Sequence, residues 1–351
     1  MPSRSAAWSQ LPPLPVSLGV AGPFAGVTDG ALLVAGGANF PDKMPWEGGR
    51  KVWHADVFAL EKPDGKWRKV GQLPCPLGYG VALTTERGVL CLGGSDAARH
   101  HAEVFAVTLT NGVLQTHPLP SLPVPLANAA GALLGDTVLL CGGSEQPGEQ
   151  SALNRLFALD LAQAAPQWRE WPPCPGKPRI LAVAAAVDGA FYLAGGAALE
   201  PTNGKVARVY LRDAWRYRPN HGWSRLADLP EPCVAAASPA PVADSAFFLI
   251  GGDDGSRVGF QPIGKHPGFA KSIFAYDTKT DSWRNAGENP APRATLPTVW
   301  WRGGCVLPSG EIRPGVRSPE VWSWRLHPGG IQELSPGLRS ASDEYPGTPG
   351  F

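Results

Sequence analysis

The amino-acid sequence predicts an all-β fold: a six-bladed β-propeller with four antiparallel strands in each blade. Three observations carry that prediction. An apolar run ending in Gly-Gly recurs at a nearly constant step, and each recurrence is followed by a second short apolar run and, in most cases, a Trp. The composition combines 43 Gly and 38 Pro with 43% hydrophobic residues and 13 Trp, so the chain is rich in turns yet far too apolar and aromatic to be disordered. The first residues read as the outer strand of a blade, which supplies a way to close a ring.

The glycine-terminated runs are ALLVAGG (31–37), GVLCLGG (88–94), TVLLCGG (137–143), AFYLAGG (190–196) and AFFLIGG (246–252). Their second glycines are separated by 57, 49, 53 and 56 residues, close to the kelch period of about 50. The apolar segments that follow are VFAL (57–60), VFAV (104–107), LFALD (156–160), AWRYR (214–218) and IFAYD (273–277). Trp67, Trp168, Trp223 and Trp283 then open the fourth strand as wedges against the neighbouring sheet, with Leu114 in that place in the second unit. A sixth unit is degenerate: GCVLPSGE (304–311) has Ser309-Gly310 in place of the glycine pair, and VWSWRL (321–326) supplies its third strand.

A length of 351 residues would ordinarily suggest two or three domains, but a repeat protein grows by adding units around one axis. We therefore expect one propeller over 1–335 and a loosely held tail over 336–351. Trp8 and the Leu-Pro-Pro-Leu-Pro after it resemble Trp168 and its following turn, so the N-terminal strand is expected to complete the sixth blade and cover its edge. The competing segment is IQELS (331–335).

A formal net charge of +1 without any run of Lys or Arg argues against nucleic acid and membrane surfaces as partners. No stretch of eighteen apolar residues occurs, and the start lacks the apolar core of a signal peptide. The expectation is a soluble protein, cytoplasmic as given or periplasmic if a leader has been removed. The six Cys fall into two sets, Cys91, Cys141 and Cys305 in strands and Cys75, Cys174 and Cys233 beside a Pro. Repeat-equivalent positions in different blades are too far apart for disulfides, so buried reduced thiols are expected.

In such rings the loops joining strands two and three, and blade to blade, open on one face around the axis. The longest, 38–54, 197–213 and 253–271, should wall a pocket. Interblade loops are expected to bring Tyr79, Asn128, Arg179 and Arg293 near the axis. The sixth unit places Glu311 directly after its strand, with Arg313 and Arg317 close behind. A carboxylate beside fixed cations can transfer protons if a substrate excludes water around it, whereas a plain loop salt bridge would do nothing.

The stretch Ser309-Gly310-Glu311-Ile312-Arg313-Pro314-Gly315-Val316-Arg317 resembles a segment of the kelch-type N-acetylneuraminate mutarotases (sialic acid epimerases). So does Gly19-Val20-Ala21-Gly22-Pro23-Phe24-Ala25-Gly26 followed by Val34 to Phe40. The two stretches stand in the reverse of the order usual in that family, as a cyclic permutation of a closed ring would place them. The resemblance implies a cofactor-free enzyme that interconverts the anomers of a small acidic sugar, and a homodimer. It puts the acid/base Glu on Glu311 and its companion on Arg317, which as a permanently charged guanidinium is assigned to the sugar carboxylate or to developing oxyanion charge. Arg313, Arg179 and Arg293 are further candidates for the sugar carboxylate, and Asn39, Tyr79 and Asn128 for its hydroxyl and acetamido groups.

Two rivals share the fold. A copper radical oxidase needs two Tyr, two His and a Cys linked to Tyr; the sequence offers no Tyr-His pair, and His100-His101 is expected to face solvent just before a strand. A non-catalytic binding module for a protein or sugar is the other alternative, since a propeller face can simply present a surface.

Overall fold

The structure, a computed structural model, describes residues 7–326 apart from Glu149 and Asn203. Six four-stranded antiparallel sheets form the ring, each with its first strand innermost. Blade 1 runs Phe24–Thr28, Ala31–Ala35, Asp56–Leu60 and Arg68–Gln72 from axis to rim, and blades 2 to 5 repeat the order, ending with Ser282–Glu288. Blade 6 takes Val299–Trp301, Gly304–Pro308 and Val321–Arg325 from the end of the chain and Ala7–Leu11 from its beginning. That N-terminal strand pairs antiparallel with Val321–Arg325, with Trp8 opposite Trp324, so the ring closes as expected. The competing segment 331–335 and the tail 336–351 lie outside the described residues. Among the described residues no helix is long and apolar enough to cross a membrane.

Both faces of each blade pack on a neighbour. The second strands are therefore continuous apolar runs, as in the fully buried Ala31–Ala35 and Ala190–Ala194, while outer strands such as Arg68–Gln72 are largely exposed. Tyr192 of blade 4 and Phe247, Tyr276 and Trp283 of blade 5 form one such interface, with ring centroids about 5 Å to 6 Å apart. The repeated Trp also ties blades together. The indole N–H groups of Trp67, Trp168, Trp223 and Trp283 donate to the carbonyls of Pro12, Pro120, Pro172 and Ala227, each in the turn leaving the preceding blade.

The glycine pair has a geometric cause. Gly36 has φ of 65°, and a Cβ there would lie 2.2 Å from the carbonyl oxygen of Leu77 in the loop that starts the next blade. In blade 6 Ser309 holds the same conformation with φ of 60°. Its buried hydroxyl accepts from the Val20 amide at 2.7 Å and lies 2.9 Å and 2.7 Å from the Val20 and Ser318 carbonyls. One serine thus ties the last blade to the first.

The described cysteines are all free, and all but Cys75 are buried. Asn154 links one thiol of each set, its carbonyl accepting from the Cys141 thiol and its side-chain amide donating to the Cys174 carbonyl. The expectation for His100 and His101 is overturned. Both lie within the strand His100–Thr110 and are buried, His101 against Asp96 at 2.8 Å and His100 against the Ser144 hydroxyl at 3.3 Å. The second blade's strands extend beyond the Gly-Gly pair, which draws both rings into the wall.

Candidate active site on the propeller axis

Six loop residues meet on the axis: Gly22, Tyr79, Asn128, Leu181, Ala235 and Thr295, all with φ between 56° and 61°. Each amide donates to the carbonyl of the preceding one at 2.7 Å to 2.9 Å, and Gly22 donates to Thr295, so six hydrogen bonds close a ring. Above this ring lies a cavity of about 390 Å³, within the range of small-molecule sites. Every blade contributes to its wall. The residue after each glycine pair bridges back to an interblade loop, and at these six equivalent places stand Ala38, Ser95, Ser144, Ala197, Asp253 and Glu311. Carboxylates occur there only in blades 5 and 6, and both line the cavity.

Glu311 is fixed by backbone as well as charge. Its N–H and C=O both bond Ala294, and the strands Glu311–Arg313 and Val316–Arg317 form a short ribbon that sets Arg317 opposite it. Arg317 Nη2 lies 2.7 Å from Glu311 Oε1. Burial pushes the Glu311 carboxyl above its usual range, opposed by the charges of Arg317, Lys51 and Arg208. The Arg317 side chain is only 3% exposed, its guanidinium carbon 4.6 Å from the centre of the Phe40 ring. Its Nε and Nη1 have no hydrogen-bond partner among the described residues. Burial, with the Glu311 charge behind it, also pushes the Tyr79 hydroxyl up to about 12. Among the described residues no three His, Cys, Asp or Glu side chains are grouped to hold a metal ion.

The two stretches singled out in the sequence, almost three hundred residues apart, meet here. Gly310 donates to the Val20 carbonyl, Val20 donates to Ser309, and Gly19 lies so close to Ser318 that a Cβ would overlap it at 2.2 Å. Comparison with known families gives a match to the family described as N-acetylneuraminate epimerase over residues 1–115 and 119–257. The chain belongs to the N-acetylneuraminate epimerase family. It is 29% identical over 253 residues to the N-acetylneuraminate epimerase of Haemophilus influenzae strain 86-028NP, a match spanning 65% of this chain and 64% of that protein. With N-acetylneuraminate epimerase 1 of Escherichia coli O6:H1 it shares 42% identity over 96 residues, a quarter of each chain. A solved structure, described as that of YjhT, superposes with a TM-score of 0.67 at 15% identity, over 92% of this chain and 99% of the other, and supports the propeller fold.

Within this family member the expected site residues divide. Glu311, Tyr79 and Asn128 line the cavity. Arg317 is buried against Glu311 and does not itself line the cavity. Arg179 and Arg293 do not reach the cavity: they lie two residues before the axial Leu181 and Thr295, where side chains run between blades. Arg179 gives two hydrogen bonds to Asp213, at 2.9 Å and 2.6 Å, and others to the carbonyls of Lys177 and Gly195. Arg293 repeats the arrangement with Glu320, Ala291 and Ser309. Arg313 is turned to the Gly264 carbonyl, joining the loops of blades 5 and 6. Asn39 is buried, donating to the Gly19 carbonyl and accepting from His54, whose imidazole burial pushes below its ordinary value.

Lys51, Trp53, Asp96, His100, Arg208, Asp253 and Phe269 also line the cavity, and the sequence reading did not single them out as site residues. The long loops 38–54, 197–213 and 253–271 pointed to Lys51, Trp53, Arg208, Asp253 and Phe269 as a group, but nothing in their local pattern marks one side chain over another.

Proposed function

We propose that this chain is a mutarotase interconverting the α and β anomers of N-acetylneuraminate. The observation that carries the reading is a carboxylate at the cavity wall, raised by burial and held by one buried arginine. The names of the relatives, which this chain matches over less than two thirds of their length, support the same substrate.

Glu311 takes the proton of the anomeric hydroxyl as the bond between the anomeric carbon and the ring oxygen breaks. The carbon becomes a ketone, and the ring oxygen receives the proton from the Glu311 carboxylic acid, so no proton is gained or lost overall. Both oxygens sit on the same carbon, which lets one carboxyl group serve both. Rotation about the adjacent bond and reclosure on the other carbonyl face invert the centre. Arg317 stays charged throughout and acts as a positioning residue, fixing the Glu311 carboxylate and stabilising its ionised state.

The test is NMR of freshly dissolved α-anomer with catalytic amounts of protein. The parent should hasten anomeric equilibrium, and Glu311→Gln should lose at least about 100-fold of that acceleration. A parent that binds the sugar without accelerating the exchange would instead establish a non-catalytic sugar-binding module.

A further inference from the structure

In a 2-keto acid sugar the carboxylate and the anomeric hydroxyl are borne by the same carbon. A cation that holds the carboxylate must therefore stand beside the group that moves the hydroxyl proton, and it must open to the cavity. The arginines nearest in sequence do not meet both conditions. Arg179 and Arg293 are engaged between blades, Arg313 serves a loop carbonyl, and Arg317 is buried against Glu311 and does not line the cavity. Two cationic side chains line the cavity among the described residues, Lys51 of blade 1 and Arg208 of blade 4.

We infer that Lys51, held over the rings of Trp53 and Tyr79, receives the carboxylate of the substrate, an assignment that rests on the acidic-sugar reading above. Lys51 Nζ lies 4.9 Å from the Tyr79 ring centre and 5.4 Å from that of Trp53, inside the roughly 6 Å reach of a cation–π contact. The two rings meet edge to face at 6.4 Å and 69°, and Tyr79 is pinned by the axial ring of hydrogen bonds, so the platform is fixed. The platform also carries hydrogen-bonding capacity, because the Trp53 indole nitrogen and the Tyr79 hydroxyl are buried without a partner among the described residues. Blade 1 adjoins blade 6, which places Lys51 on the Glu311 side of the cavity; Arg208, exposed like Lys51, stands two blades from Glu311 on the ribbon Lys205–Tyr210.

The arrangement couples binding to chemistry. Next to Arg317, Lys51 is the strongest charge holding the Glu311 carboxyl down. A substrate carboxylate that neutralises Lys51 releases part of that restraint and makes Glu311 a stronger base at the moment the sugar is in place.

The experiment compares calorimetric binding of N-acetylneuraminate and of its C1 methyl ester, in which the carboxylate charge is absent. The proteins are the parent, Lys51→Met, Lys51→Arg and Arg208→Met. The parent should prefer the acid, and Lys51→Met should lose about 10- to 100-fold in affinity for the acid, as expected for a charge-assisted hydrogen bond, with ester binding nearly unchanged. Lys51→Arg should recover most of the preference. An unchanged acid-to-ester ratio in Lys51→Met, or its loss in Arg208→Met instead, overturns the assignment. A parent that accelerates anomer exchange yet binds acid and ester alike also overturns it and leaves the mutarotase standing. A parent that prefers the acid through Lys51 without accelerating exchange supports the assignment and removes the mutarotase.

Discussion

Two buried arginine–carboxylate pairs sit two blades apart in the same ring and are satisfied to different degrees. Around Arg179, Asp213 takes two hydrogen bonds, two carbonyls take one each, and Trp215 donates to the same carboxylate. Around Arg317, Glu311 takes one contact, Phe40 covers the guanidinium, and Nε and Nη1 are left without a partner among the described residues. The first carboxylate faces protein, the second a cavity. A partner on every guanidinium nitrogen marks a structural clip, whereas an incompletely satisfied pair at a cavity wall keeps its carboxylate able to change partner and protonation state.

The sharpest way to break this comparison is to remove Arg179. Arg179→Met strands Asp213 in the wall and should cost about 3–5 kcal/mol in chemical denaturation, while the molecules that remain folded keep the parent's activity. An equal loss of activity per folded molecule would move Arg179 into the site.

A smaller effect concerns pH. Burial raises the Glu311 carboxyl above the usual range, and the proposed reaction uses its ionised form, so the acceleration should fall as pH drops through that raised value. The residual rate of Glu311→Gln should lack this limb. A limb at the ordinary carboxylate value that survives in the variant would assign the proton to another group.

The smallest effect is expected at Phe40. Phe40→Leu removes the ring under Arg317 and should slow turnover by an amount on the order of 0.5–2 kcal/mol, with substrate affinity little changed. A change confined to affinity would mean that Phe40 touches the sugar.

Much of the fold was legible because its signals are local. The Gly-Gly pair, the following apolar run and the Trp each answer a constraint met within one blade and its neighbour, so five repetitions and one degenerate copy counted the blades. Glu311 was legible for the same reason: it occupies the residue after the pair, a place the repeat fixes near the axis. The arginines were not separable. Arg179 follows a Pro-rich turn and Arg313 precedes the turn of its ribbon, but one is drawn to Asp213 and the other to the Gly264 carbonyl, and both partners come from distant sequence.

The sequence alone determined the number of blades and the two motif stretches, because each depends on short-range pattern and backbone conformation, whereas it left two strands competing to close the ring and the structure paired the strand of Trp8 with Val321–Arg325. Only the tertiary structure decided which cations face the cavity. A side chain's direction there depends on what the next blade offers it: a carboxylate between blades for Arg179, a phenyl ring for Arg317, and an aromatic platform at the cavity wall for Lys51.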